Sequence, residues 1–165
     1  MQLQDFFDYK NKLMEDLLTS QEVVSLLNEK ILMQNADELA YKQVFPYEYI
    51  PETVQEGKTF ICFDVDILES YNKTFLLPVL YIWVFTHKSL LRLPEGGVRT
   101  DKLCSEICKL INGSKKYSLG ELNLYSTKRF AIATDMQGKV MSFRGKEINR
   151  LYDGTKEVPE NRKRG

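Results

Sequence analysis

Between Val79 and Phe85 the chain reads Val-Leu-Tyr-Ile-Trp-Val-Phe. Successive side chains of a strand point to opposite faces, so Leu80, Ile82 and Val84 share one side and Val79, Tyr81, Trp83 and Phe85 the other. Neither face is polar, and a strand of this kind needs cover on both. Pro78 cannot donate to a ladder, which predicts an edge position or a bulge early in this strand, Thr74–His87. The strand before it, Thr59–Leu68, alternates Ile61, Phe63, Val65 and Ile67 with Phe60, Cys62, Asp64 and Asp66, giving one apolar and one mixed face. The Glu69-Ser70-Tyr71-Asn72-Lys73 connection is short enough to make the two an antiparallel hairpin.

Helical signals flank this hairpin. Leu3, Phe6, Phe7, Leu13, Met14, Leu17 and Leu18 recur mostly at three-to-four spacing and predict an amphipathic helix from Leu3 to Leu18. Thr19-Ser20-Gln21-Glu22 has the form of a capping box, with the Thr19 hydroxyl and Glu22 carboxylate opening a second helix that runs to about Met33. After the Pro94-Glu95-Gly96-Gly97 loop, Thr100 is placed to cap a helix carrying Leu103, Cys104, Ile107, Cys108, Leu110 and Ile111, with Gly113 as its left-handed end. Residues 35–57 change character. Phe45-Pro46-Tyr47-Glu48-Tyr49-Ile50-Pro51 forbids helix and reads as an extended aromatic arm with a short strand. Glu121–Ser126, Arg129–Thr134 and Lys139–Arg144 read as strands, the last two joined by Asp135-Met136-Gln137-Gly138, where glycine permits a positive φ.

The order is α, α, β, β, α, β, β, with room for one more β. It predicts an α+β fold in which two N-terminal helices precede a mostly antiparallel sheet with a helix packed on one face. A chain of 165 residues suits a single domain, placed at residues 1–150, and hides roughly 70% of its unfolded surface. Residues 151–165 are charged and nearly devoid of apolar side chains, which predicts a mobile tail.

Lys plus Arg and Asp plus Glu number 23 each, so there is no overall field toward nucleic acid or an anionic membrane. The opening residues lack a positive segment followed by an apolar one, and the longest apolar run, Phe75–Phe85, is broken by Pro78 and too short to span a bilayer. Three cysteines in such a chain point to reduced thiols. A soluble, cytosolically made product is expected, in which the two glycosylation sequons at Asn72 and Asn112 have no role.

Candidate chemistry is sparse. Gly57-Lys58-Thr59 ends like a phosphate loop, but Glu52 stands where the pattern needs glycine and a strand follows where it needs a helix. Asp64 and Asp66 share a strand face, about 6.6 Å apart along it, and such a pair can hold a divalent cation. With no histidine or lysine in a nuclease motif beside them, solvated carboxylates are the plainer reading. Cys104 and Cys108 lie one turn apart on an apolar helix face, as buried thiols do; only Cys62 and His87 remain to complete a zinc site or a Cys–His pair. The last third is the most basic, with Lys115, Lys116, Lys128, Arg129, Arg144, Lys146 and Arg150 among its cations. Glu121, Asp135 and Glu147 interrupt it, as in solvated loops. The reading is therefore of no catalytic residue, no cofactor and no metal. What remains is aromatic. Tyr81, Trp83 and Phe85 with Phe45, Tyr47 and Tyr49 of the arm have the content of an interface core. Protomer interface and internal second layer both account for them.

The segments Phe60-Ile61-Cys62-Phe63-Asp64-Val65-Asp66 and Leu80-Tyr81-Ile82-Trp83-Val84-Phe85-Thr86-His87, the Arg99–Asn112 helix and the Gly120–Phe130 strand together resemble the tail terminator and neck (head–tail connector) proteins of tailed bacteriophages. The likeness covers about Met1–Arg150 and is one of element order and texture. It implies a non-enzymatic virion protein that forms a ring, commonly a hexamer, on the upper end of the tail tube. By the same resemblance its partners are further copies of itself, the tail tube protein and the head connector or stopper protein, and DNA passes through the channel without specific binding. The protein would be made in the host bacterial cytoplasm and end in the virion neck. The arm is long for that family, and the charged tail has no counterpart in it. A head-closure or adaptor protein of the same neck is the nearest alternative. From other classes come a metal-dependent enzyme using Asp64 and Asp66, and a small nucleic-acid-binding factor using the basic last third.

Overall fold

The computed structural model describes residues 3–51, 57–67 and 75–148. Helices α1 (Leu3–Thr19) and α2 (Gln21–Leu27) lead through a short 3-10 helix, Met33–Leu39, to β1 (Val44–Phe45). Then follow β2 (Thr59–Ile67), β3 (Phe75–Leu76), β4 (Pro78–His87), α3 (Arg99–Ile111), β5 (Asn123–Ala133), β6 (Met136–Arg144) and β7 (Glu147–Ile148). This is the α+β architecture the sequence predicts. Five strands form one sheet in the order β1-β2-β4-β6-β5, and β3 pairs with β7 in a separate ribbon. β1 runs parallel to β2, and every other pairing is antiparallel. The Glu69–Lys73 connection and the 151–165 tail lie outside the described residues, as does the 52–56 part of the arm.

All three helices cover the same face. Ile61 and Phe63 of β2, Leu80, Ile82 and Val84 of β4, and Met141 and Phe143 of β6 are buried against Tyr9, Leu13 and Leu17 of α1, Val23 and Leu27 of α2, and Leu103, Ile107 and Ile111 of α3. Burying a large aliphatic or aromatic side chain is worth about 1.5–3 kcal/mol, so this layer dominates stability. The far face carries a smaller cluster of Phe60, Cys62, Phe85 and Met136, onto which Phe45 folds.

Five local expectations are corrected. Pro78 does not mark an edge: β4 lies between β2 and β6, and proline is tolerated as its first residue, where the chain leaves the β3–β7 ribbon. α2 starts at Gln21, so its cap is Ser20, whose hydroxyl accepts from Val23 N at 3.4 Å. Thr19 closes α1 instead, donating to Glu15 O at 2.9 Å. α2 also stops at Leu27, because Asn28 turns extended (φ −154°) and the helix's last carbonyls find side-chain donors. The Gln43 amide donates to Leu27 O at 2.8 Å, and the Arg99 guanidinium donates to Leu26 O at 2.9 Å. These are the orphan acceptors that every helix end exposes. α3 begins one residue before Thr100, which is buried within its first turn while Val98 occupies the cap position. Gly113 does end the exit from α3 with a left-handed φ of +78°.

The fifth correction concerns the C-terminal strands. Glu121–Ser126 and Arg129–Thr134 are one strand, β5, because register shifts between Leu124 and Ser126 and between Ala131 and Ala133 absorb the broken alternation. Gly138 is not a turn residue. It sits inside β6 opposite Phe85, where a Cβ would run into the Val84 carbonyl oxygen.

Candidate functional site

The far face of the sheet is where the fold gathers the aromatic residues singled out above. Register places Phe60 opposite Phe85, Cys62 opposite Trp83 and Asp64 opposite Tyr81. Phe60 and Phe85 stack at 5.2 Å, and Phe85 meets Phe130 edge-on at 6.1 Å. The arm then folds back over this pair. Phe45 stacks on Tyr49 at 3.9 Å and 10°, with Phe60 at 6.4 Å. β1 sets this geometry, because its parallel pairing of Phe45 with Cys62 aims the Phe45 ring at the far face.

The six candidate residues therefore divide. Phe45 and Phe85 are buried within the protomer, whereas Tyr49, Tyr81 and Trp83 are partly exposed and Tyr47 is exposed. Tyr81 and Trp83 stack on one another at 5.9 Å and continue the aromatic row past the end of the arm. The arm thus covers one end of the face, and the Tyr81–Trp83 end keeps ring surface accessible.

Asp64 and Asp66 do project to this face, but Asp64 already has a counter-charge. The Lys10 ammonium of α1 lies 3.0 Å from Asp64 Oδ1 and also donates to Pro46 O at 2.7 Å, tying helix, strand and arm together. Tyr9, beside Lys10 in sequence, has its phenol raised well above the ordinary range, first by burial and then by the charges of Asp64 and Asp66. Among the described residues no group of three His, Cys, Asp or Glu side chains is placed to hold a metal ion.

The cysteines are free thiols. Burial pushes Cys62 up to about 12 and Cys104 to about 11, which keeps both protonated and unreactive at neutral pH. The Cys62 thiol points to Tyr49 O at 3.7 Å. His87 ends β4, as expected, and its Nδ1 sits 2.7 Å from Ser89 Oγ. Thr59 of the Gly57-Lys58-Thr59 stretch is buried in β2, with its hydroxyl 2.8 Å from that of Thr86. Of the basic last third, Lys139 pairs with Asp101 at 2.6 Å, Lys116 with Asp16 at 2.7 Å and Lys115 with Glu121 at 3.2 Å. Arg144 lies over the Tyr125 ring at 3.3 Å.

One surface shares only Tyr47 with the sequence candidates. α1 and the 33–47 segment enclose an open groove of about 750 Å³, lined by Phe7, Met14, Leu18, Met33, Tyr41 and Tyr47 among others. A signal was present. Tyr9, Leu13, Leu17 and Leu18 are the buried residues of α1, so Phe7 and Met14, seven positions apart and on one side of the helix, are apolar side chains that this stripe leaves wholly or partly uncovered.

Residues 12–144 match the family model described as YomW. No curated protein matches the chain. No helix among the described residues is long and apolar enough to cross a membrane.

Proposed function

The chain belongs to the YomW family, named for a phage-type Bacillus protein. From that premise we propose that it is a structural protein of the virion: a tail terminator at the head–tail junction that acts as a ring, commonly a hexamer in such proteins, without catalytic activity of its own. Its partners are further copies of itself, the tail tube protein below and the head connector above. DNA passes through the ring without specific binding, and the protein is made in the host cytoplasm and ends in the neck of the particle.

The observation that carries this reading is the asymmetry of the sheet. One face is covered by three helices across β2, β4 and β6, whereas the other is covered only at the Phe45–Tyr49 end and leaves Tyr81 and Trp83 partly open. Aromatic rings with accessible faces are the side chains that anchor protein–protein contacts. Equal numbers of cationic and anionic side chains also suit a channel that conducts DNA without gripping it.

Microscopy of assembled particles carrying a labelled copy of this chain tests the assignment. Density for the label at the junction of tube and head is the expected result, and its absence from that junction overturns the assignment.

A further inference from the structure

We propose that copies of this chain join head to tail, the β5 edge of one protomer seating in the α1 groove of the next. The contact rests on the self-assembling role proposed above, and it names the two surfaces that would make it.

The sheet order sets the geometry. β1 and β5 are its two outer strands, separated by four inter-strand spacings, or about 19 Å. The groove belongs to the β1 end, since Pro46 and Tyr47, which follow β1 directly, line it with α1. Its apolar surface is open to a large ligand, with Phe7 67% and Tyr47 44% exposed. Three charged side chains line it: Lys10, Glu15 and Asp37. Lys10 is already answered by Asp64, while Glu15 and Asp37 form no ion pair among the described residues. The groove is therefore apolar with an acidic rim.

The β5 end is its complement. β5 is eleven residues long with one side unpaired, and it exposes Tyr125 (61%) and Leu124 (41%). The charges on it are Lys128 and Arg129, both exposed and both without an ion-pair partner among the described residues. Exposed edge strands invite association unless charge or bulges blunt them. Here the bulges flank the middle of the strand, and the charges are opposite in sign to those at the groove. An acidic-rimmed apolar groove at one end and a basic strand with exposed apolar side chains at the other cannot pair like with like. They pair one copy with the next, the heterologous arrangement that generates rings or filaments.

Two full-length variants altered only at exposed positions test the pairing. One, Phe7→Ser with Tyr47→Ser, weakens the groove; the other, Tyr125→Ser with Arg129→Glu, weakens the edge. Wild-type protein is expected to form multimers whose mass falls as salt is raised, and each variant alone is expected to be monomeric with unchanged circular dichroism. Mixed in equal amounts, the variants should form dimers and nothing larger, because the mixture holds one intact groove facing one intact edge and no second functional pair. A wild type that stays monomeric in concentrated solution overturns the proposal. So does an edge variant that dimerises alone, which would mean groove-to-groove contact, or a mixture that stays monomeric. Particle labelling reads independently: dimers in the mixture with no label at the neck would keep this contact and remove the terminator assignment.

Discussion

Arg99 is buried where a cation needs several partners, and it has them. Its guanidinium donates to Leu26 O at 2.9 Å and Leu90 O at 2.8 Å, and it pairs with Glu29 at 2.9 Å. Arg99→Met removes the donors and leaves two carbonyls short of partners, so chemical denaturation should report a loss of about 3 kcal/mol. Glu29→Gln should cost under about 1 kcal/mol, because the Glu29 carboxylate is 60% exposed and solvent replaces its partner. Cys62 gives a pH test. Its thiol titrates at about 12 in the fold against 9.0 in its absence, so the folded state holds the proton more tightly. The stability that follows is complete below about pH 9 and drains away as pH rises toward 12. Cys62→Ala should flatten the alkaline fall in unfolding free energy, and a slope equal to wild type would show that this thiol does not govern it.

At the scale of elements, two glycines should behave oppositely. Gly138→Ala forces a Cβ onto the Val84 backbone in the middle of the sheet and should cost about 3 kcal/mol or prevent folding. Gly113→Ala meets open space and only a left-handed φ, costing about 1 kcal/mol; thermal melts of the pair would separate the causes. Gly113 was legible from sequence because a helix end leaves a local signature. Gly138 was not, since the reason for it sits on another strand. The same division runs through the chain. Period-two alternation marked β2 and the apolar run marked β4, yet the cover over Phe60 and Phe85 depends on a two-residue parallel strand too short to show any period. α2 is shorter than its pattern predicts for a like reason: Val23 to Leu32 keeps helical spacing, and only Gln43 and Arg99, distant in sequence, bind the carbonyls where the helix ends. Of the six aromatic candidates, composition identified the group, but only the fold separates Phe45 and Phe85, enclosed, from Tyr47, Tyr49, Tyr81 and Trp83, accessible.

For the whole molecule, the accessible end of the aromatic row bears on assembly. If a neighbour in the neck covers Trp83, Trp83→Ala should weaken that contact by about 2 kcal/mol or more, seen as reduced incorporation into particles at a concentration where wild type saturates. A lowered melting temperature with normal incorporation would assign the ring to the protomer interior instead. The Arg99 clamp has a further consequence, in time. It joins residues 73 positions apart in the chain, so during synthesis the C-terminal end of α2 stays hydrated until α3 has left the ribosome. The N-terminal third therefore cannot commit early to its final arrangement, and nascent chains stalled with α3 still inside the ribosome should remain open to protease while chains stalled after α3 has emerged close.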